Sequence, residues 1–404
     1  MAGLTASTVK LEEAPDPISL LPPSSGLAWL TEAVSLVAEG PALRIDPGTG
    51  PDRFRRGAEA VRTLLEGAHI SDQVDLPGSG PVVFGSWTFD EESPGSWLAL
   101  PSTIYGRGDG IAWKTTVDFG DGPPPRPPAA EPQRTGPSLD GPGWMQAVSA
   151  ALDAIGAGRL EKVVLARKVD VSAAEPFDQR TLARRLAAEY PGCFTFCFDD
   201  LIGASPELLV RRVGDLVDSV PLAGSARRGA TEQEDTDLGR KLKESRKNLS
   251  EHALAVKTVM EKLAPWCSEL FKEPEPSLLL LANLQHLSTK VQGRLNGSPN
   301  ALVLAGALHP TAAVCGVPQS EAMRTIRELE RFDRGRYAGP VGWMDHHGDG
   351  EWALALRCAL VKGNKAEIFA GAGIVAGSDP ASELEETSLK LRAILSALGP
   401  VEGT

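Results

Sequence analysis

The residues best suited to chemistry in this chain form a short acidic run near its C-terminal end. Glu383 and Glu386 lie three residues apart, and Lys390 follows four residues later. The run comes after Asp379 and Pro380, which are typical of a helix start because Asp caps free N–H groups and Pro is tolerated in the first turn. On that helix the three side chains share one face. Two carboxylates there could hold a hard cation such as Mg²⁺ beside an anionic substrate, although the spacing alone favours a solvated acidic face.

Other chemically capable residues are spread over the chain in short segments, each a weak signal by itself. In chain order they are Lys162-Val-Val-Leu-Ala-Arg167, Gly203-Ala-Ser-Pro-Glu207, Pro221-Leu-Ala-Gly-Ser-Ala-Arg-Arg228, Glu251-His252, Gln285-His286, His309-Pro-Thr-Ala-Ala-Val314, Phe332-Asp-Arg-Gly-Arg-Tyr-Ala-Gly339, Leu356-Arg357, Gly371-Ala-Gly373 and Glu383-Leu-Glu-Glu386. Together and in this order they resemble the chorismate-utilising enzymes, the family of isochorismate, salicylate, anthranilate and aminodeoxychorismate synthases. The resemblance covers residues 145–398.

The resemblance implies an acid–base pair. An isochorismate synthase adds water at C2 of chorismate while the C4 hydroxyl leaves, which requires a base and an acid. By resemblance Lys162 is the base and Glu207 is the acid. Without the resemblance, Lys162 on an apolar strand would be read as a snorkelling edge lysine, and Glu207 as a solvated turn residue. A desolvated pocket would raise the pKa of Glu207 and keep it protonated, as an acid requires.

The resemblance also implies a Mg²⁺ site formed by Glu251 and Glu386, with Glu383 as a direct or water-mediated ligand. Mg²⁺ commonly takes one or two protein carboxylates and completes its shell with water and substrate oxygens. The ion would neutralise and orient a substrate carboxylate. Asn248 stands where relatives often carry Asp or Glu, so we do not count it as a ligand.

Further residues are expected to bind the substrate, chorismate. Arg357 suits bidentate capture of a carboxylate, whereas an arginine in an alternating strand could also form a cross-strand charge pair. Beside Arg357, the family's pattern implies roles for a set of binding residues: Gly224, Ser225, His286, Ala313, Tyr337, Gly371, Gly373 and Lys390.

Ala313 selects among the family's reactions, because relatives that go on to eliminate pyruvate tend to carry Thr at this position. We therefore expect an isochorismate synthase, a Mg²⁺-dependent isomerase. A salicylate synthase would share nearly all the other residues. The amino-transferring synthases generally show a different sequence after the Glu-His pair. A binding protein without catalysis is disfavoured because the expected catalytic, metal and carboxylate-binding residues are all present.

The elements that must position these residues are mainly strands. Strands are predicted at residues 82–87, 97–105, 110–119, 160–171, 194–202, 208–213, 278–284 and 352–361, and helices at 179–189, 236–263 and 318–330. Successive strands without regular helical crossovers favour an α+β fold with large, mostly antiparallel sheets over a doubly wound parallel one. By resemblance, the sheets pack as a sandwich with peripheral helices.

One Pro- and Gly-rich segment divides the chain. Residues 120–143 are predicted to be an extended linker or loop. Residues 1–119 would form a strand-rich N-terminal part of the fold, and residues 144–404 the chorismate-binding catalytic region, the two parts joined in one structural unit.

Composition excludes several classes of protein. The chain has 404 residues and a net charge of −12, which argues against nucleic-acid binding and against an anionic membrane surface. Five cysteines fit a reducing compartment better than a disulfide framework. Cys193 and Cys197 lie in an apolar run and are expected to be buried thiols. The sequence shows no secretion signal and no membrane span. We expect a cytoplasmic monomer without an obligate protein partner.

Overall fold

The computed structural model describes residues 4–120 and 139–403, in which short strands outnumber helices. The part before the linker contains β1 (Thr5–Lys10), β2 (Gly26–Leu30), β3 (Val34–Ile45), α1 (Arg53–Leu65), β4 (His69–Asp72), β5 (Val82–Ser86), β6 (Trp97–Gly108) and β7 (Ile111–Asp118). After it come α2 (Gly141–Gly156), β8 (Lys162–Ser172), α3 (Gln179–Glu189), β9 (Phe194–Asp199), β10 (Leu201–Ser205), β11 (Leu208–Val213), β12 (Leu216–Val220), β13 (Leu222–Arg227), α4 (Glu232–Glu244) and α5 (Arg246–Leu263).

The last third of the chain adds the remaining strands and helices. They are β14 (Cys267–Lys272), β15 (Ser277–Leu280), β16 (Leu284–Ser288), β17 (Val291–Leu295), α6 (Ala301–Leu308), β18 (Gly316–Val317), α7 (Gln319–Glu330), β19 (Pro340–Asp345), β20 (Gly350–Leu354), β21 (Cys358–Lys362), β22 (Lys365–Val375) and α8 (Pro380–Leu398). Single 3₁₀ turns occupy Pro17–Leu20 and Ala264–Trp266. Among the helices in the described ranges, none is both long and apolar enough to cross a membrane.

Two large sheets share the long strand β6. The first runs β4-β1-β7-β6-β3-β2-β9-β10-β21-β22-β8-β18. The second runs β6-β5-β19-β20-β11-β12-β17-β14. A small separate sheet has the order β13-β16-β15. Every pair is antiparallel except β1–β4. The predicted α+β class with mostly antiparallel sheets is confirmed.

The two large sheets pack face to face as a sandwich. On β9 alternate side chains point to opposite faces, so Phe194, Phe196 and Phe198 enter the core between the sheets. Cys197 faces the other way, into a second cluster formed with α3 and α8. The two cysteines predicted to be buried thiols are indeed free and buried. Across the sandwich, the Trp29 Nε1 of β2 donates a hydrogen bond to Glu351 of β20 at 2.8 Å.

Several single elements of the prediction prove to be pairs. Residues 236–263 do not form one helix, because Ser245 is extended with ψ 112° and separates α4 from α5. Its side chain accepts from the N–H of Asn248 and caps α5, which explains the break. Likewise residues 194–202 are a hairpin of β9 and β10, with Asp199 at φ 59° in the turn.

Residues 352–361 are likewise not one strand. β20 ends at Leu354 in the second sheet, and β21 begins at Cys358 in the first, so residues 355–357 carry the chain across the sandwich. Arg357 takes a φ of 48° in this crossing and is not in the alternating strand that was predicted. Apolar residues occur both before and after the crossing, because β20 is buried in the second sheet and β21 in the first. The sequence therefore looks like one continuous strand.

The linker prediction is only partly within the described residues. Of residues 120–143, those from 121 to 138 lie outside the described ranges. Its last residues are helical rather than extended: Asp140 accepts from the N–H of Gly143 and caps α2, with Pro142 in the first turn. The predicted division into two parts stays a prediction. The strands before the linker nevertheless pair directly with those after it, β2 with β9 and β5 with β19.

Candidate active site

A cavity of about 70 Å³ lies where β8 and β22 meet α5, α8 and the small sheet. Most of the predicted site residues line it: Glu207, Gly224, Ser225, Glu251, His286, Ala313, Tyr337, Arg357, Gly371, Gly373, Glu386 and Lys390. The remaining two, Lys162 and Glu383, lie beside this lining, each in an ion pair. Segments more than 200 residues apart in the chain thus meet at one site.

Lys162 is fully buried at the start of β8 and forms an ion pair with Glu251 of α5. Its Nζ lies 3.1 Å from Oε1 of Glu251, and the two side chains are 0% and 12% exposed. No atom in the described part of the chain meets the geometry of a hydrogen bond with this Nζ. The contact depends on a glycine: a Cβ at Gly373 would lie 2.0 Å from Glu251 Oε1 and 3.1 Å from Lys162 Cε. Gly373 therefore leaves the space in which lysine and carboxylate meet.

Glu207 lies in the connection between β10 and β11 and is 4% exposed. Burial raises the pKa of its carboxyl to about 8, against the opposing effect of a hydrogen bond from the backbone of Leu222 and of the nearby cations Lys162, Lys390 and Arg357. Glu207 is therefore protonated at neutral pH and can donate a proton.

Three side chains form a hydrogen-bonded row along the cavity. Nη2 of Arg357 lies 3.1 Å from Nε2 of His286, whose Nδ1 lies 3.0 Å from Oγ of Ser225 and 3.3 Å from the carbonyl oxygen of Gly224. Because a guanidinium only donates, Nε2 must be the acceptor, which places the imidazole proton on Nδ1. Burial, followed by the charges of Arg357 and Lys390, holds the pKa of His286 well below its usual range, so the ring is neutral.

Arg357 keeps donor capacity for a ligand. The side chain is buried, and its Nε has no hydrogen-bond partner in the described ranges. A buried guanidinium without a carboxylate partner is unusual, because burying an unpaired charge is costly. The arginine therefore lines the cavity as a ready anion-binding group.

Two more glutamates lie close together on α8, each held by a lysine. Nζ of Lys390 lies 2.6 Å from Glu386 and donates to the carbonyl oxygen of Gly371 at 2.8 Å. Nζ of Lys247 lies 2.5 Å from Glu383, whose side chain is 2% exposed. Burial would raise the pKa of Glu386, but Lys390, Lys247 and Arg357 outweigh it and the pKa is lowered. Burial and the charge of Glu386 raise the pKa of Glu383.

The apolar wall of the cavity combines Tyr337 with the segment that carries Ala313. Tyr337 stacks on Phe369 with ring centroids 5.0 Å apart, and its hydroxyl lies 3.2 Å from the position of a Cβ at Gly371. Burial raises the pKa of the Tyr337 hydroxyl, so it stays protonated. Ala313 lines the same cavity.

Sequence reasoning missed two cations that support the site. Lys247 lies four residues before Glu251, on the same helix face, and this spacing could have identified it. Arg334 also lines the cavity. It belongs to a segment already singled out, but nothing in the local pattern indicates that it is buried.

The donor set fits a cation that keeps part of its shell for water and substrate. Within the described ranges, no three His, Cys, Asp or Glu side chains are grouped as a metal cage. Glu251 and Glu386 nevertheless line the same cavity, and Mg²⁺ often takes no more than two carboxylates. Both carboxylates already attract cationic side chains, Lys162 and Lys390. Glu383 contacts Lys247 and does not line the cavity, so its role as a ligand stays a prediction.

Comparisons with known proteins agree on one family. The family model described as "Chorismate binding enzyme" matches residues 116–399. Isochorismate synthase DhbC of Bacillus subtilis is 36% identical over 376 residues, 90% of this chain and 91% of that protein. Vibriobactin-specific isochorismate synthase of Vibrio cholerae is 37% identical and covers 86% and 85%. The solved structure of MenF, the menaquinone-specific isochorismate synthase of Escherichia coli, superposes with a TM-score of 0.81 at 27% identity, over 98% of this chain and 95% of that one.

Proposed function

Because this chain belongs to the chorismate binding enzymes, we propose that it is an isochorismate synthase that converts chorismate reversibly to isochorismate. The observation that carries the proposal is one cavity lined by a protonated glutamic acid and by an arginine whose Nε has no partner among the described residues, with a buried lysine beside it. The relatives' printed names support the same reaction. Reactant and product are isomers, so the enzyme is an isomerase.

The chemical step uses Lys162 and Glu207. Water attacks C2 of the ring as Lys162, which must be uncharged at that moment, takes one of the water protons. The ring double bonds shift, the bond from C4 to its hydroxyl oxygen breaks, and the carboxyl proton of Glu207 passes to that oxygen, which leaves as water. One water is added and one is lost, so atoms and charge balance.

Substrate binding falls to the cations and glycines of the cavity. Arg357 would bind a substrate carboxylate, and His286 would hold the guanidinium in place through the 3.1 Å contact. Lys390, Tyr337 and the backbone at Gly371 would complete the carboxylate site. Glu251 and Glu386, with Glu383 nearby, would hold Mg²⁺, which when bound neutralises the ring carboxylate.

Incubation of the purified protein with chorismate and Mg²⁺, followed by chromatographic separation of the products, tests the proposal. We expect isochorismate to accumulate toward an equilibrium mixture, without pyruvate, and EDTA to stop the reaction. Pyruvate in equal amount to salicylate would instead identify a salicylate synthase, and would contradict the significance given to Ala313. Absence of turnover with Mg²⁺ present would overturn the roles of Lys162 and Glu207.

A further inference from the structure

At the wall of the cavity lies a buried ion pair, Glu330 and Arg334, that the proposed reaction does not use. Glu330 is the last residue of α7, and Arg331 then takes a φ of 61°, which turns the chain so that Arg334 comes back over the helix end. Nε and Nη2 of Arg334 donate to the two oxygens of Glu330 at 2.9 and 2.5 Å. The side chains are 2% and 1% exposed, so both charges are withdrawn from water.

The Glu330–Arg334 pair supplies hydrogen-bond partners to the edge of β8 where no neighbouring strand in the described ranges does. The two-residue strand β18 pairs with β8 only at Lys162 and Val163, and the N–H of Val164 still reaches the carbonyl oxygen of Cys315. Past this point, side chains take over: Nη2 of Arg334 donates to the carbonyl oxygen of Val164 at 2.7 Å, and the N–H of Ala166 donates to Glu330 at 2.8 Å. The backbone groups at this edge are thereby satisfied.

The same guanidinium also holds the neighbouring segment, which carries Ala313. Nη1 of Arg334 donates to the carbonyl oxygen of Val314 at 2.8 Å, one residue after Ala313. A planar guanidinium fixes the directions of its donors, so Arg334 adds to the backbone contacts that hold β8, which carries Lys162, against the segment that carries Ala313.

We infer that Glu330 and Arg334 are positioning residues that set the distance between the base-bearing strand β8 and the Ala313 wall of the cavity. The inference depends on the proposed function, since it concerns the geometry of that same site. A lysine at residue 334 would keep the charge, but its three donors share one nitrogen, so it could not reproduce the separate, fixed directions in which the guanidinium reaches Val164, Val314 and both oxygens of Glu330. The walls would then shift relative to each other, and a displacement of about 1 Å can cost about a hundredfold in rate.

The test compares this pair with a similar one remote from the cavity. Arg44 of β3 and Asp199 of β9 also form a buried ion pair, 2.8 Å long with side chains 9% and 5% exposed. We would measure kcat, KM for chorismate and the melting temperature for wild type, Arg334→Lys and Arg44→Lys. We expect Arg334→Lys to lower kcat about a hundredfold, with a smaller change in KM, whereas Arg44→Lys keeps the wild-type kcat even if its melting temperature falls as far.

Each outcome decides between alternatives. If wild type makes no isochorismate, the proposed function fails; if wild type turns over and Arg334→Lys stays within about threefold of it, only the positioning role fails. A loss of kcat that is the same in both variants at equal melting temperature would reduce the pair to a stabilising role.

Should Arg334→Lys not fold, the double variant Glu330→Gln/Arg334→Met removes both charges together, which buried pairs often tolerate. It should fold and show the same loss of kcat; wild-type turnover in it would overturn the inference.

Discussion

Burial, rather than the ordinary acidity of a glutamic acid side chain, sets the protonation state of Glu207. A carboxyl with a pKa of about 8 is protonated below that pH and loses its proton above it. Since the proposed acid acts only when protonated, activity limited by Glu207 is present below about pH 8 and declines above it. We expect kcat/KM for chorismate, which reports the free enzyme, to fall on the alkaline side with an apparent pKa near 8. A kcat/KM that keeps rising through that pH would assign the acid to another group.

Substitution of the acid tests the same residue directly. Glu207→Gln keeps the size of the side chain but has no acidic proton to transfer, so we expect kcat to fall about a hundredfold to ten-thousandfold. Binding of chorismate, followed by calorimetry, should persist because Arg357 is untouched. Loss of binding together with kcat would show that Glu207 holds the substrate rather than protonates it.

Gly373 offers a test of the carboxylate that it accommodates. In Gly373→Ala the new Cβ would lie 2.0 Å from Glu251 Oε1, so the carboxylate must move away. We expect the Mg²⁺ concentration for half-maximal activity to rise about tenfold to a hundredfold. Gly156→Ala in α2 is the matched control, because a Cβ there meets nothing within 4 Å. An unchanged Mg²⁺ requirement in Gly373→Ala would remove Glu251 from the proposed site.

At the scale of elements, a strong local signal can identify a helix start. Asp379 accepts from the N–H of Ser382 and caps α8, with Pro380 in the first turn, as the sequence predicts. The helix 318–330 is confirmed within one residue. Strand boundaries are predicted less well, as the division of residues 352–361 into two strands shows. The alternation of apolar residues along a strand does not report which sheet the strand joins.

The cap of α8 should matter for both stability and metal binding. Asp379→Ala removes a hydrogen bond at the helix end and should lower the free energy of unfolding by about 1 kcal/mol. Because Glu383 and Glu386 follow within two turns, the Mg²⁺ requirement should rise as well. Asp178→Ala is the control: Asp178 caps α3 in the same way but lies apart from the cavity, so we expect a similar loss in chemical denaturation with an unchanged Mg²⁺ requirement.

At the scale of the whole molecule, the core between the sheets joins the parts before and after the linker. Phe198 of β9 packs against Phe84 of β5 and Trp97 of β6 with ring centroids 5.8 and 5.9 Å apart. Since strands from both parts of the chain contribute to one cluster, neither part can bury its apolar face alone.

Truncation in this core tests whether the two parts unfold together. We expect Phe198→Ala to lower the free energy of unfolding by about 3–5 kcal/mol, in a single transition seen equally by tryptophan fluorescence and far-UV circular dichroism. The buried tryptophans lie in both parts, Trp29 before the linker and Trp343 after it. Two separate transitions would contradict the prediction that both parts form one structural unit.

The amino-acid sequence alone determined which chemical groups the protein has and in what order, and this was enough for the family, the fold class and twelve of the twenty residues that line the cavity. Capping residues and apolar alternation act over a few neighbours, so the sequence shows them directly. Only the tertiary structure decided the pairs Lys162–Glu251 and Arg357–His286, the raised pKa of Glu207 and the burial of Arg334. These depend on contacts between residues far apart in the chain and on the exclusion of water, neither of which a local pattern contains.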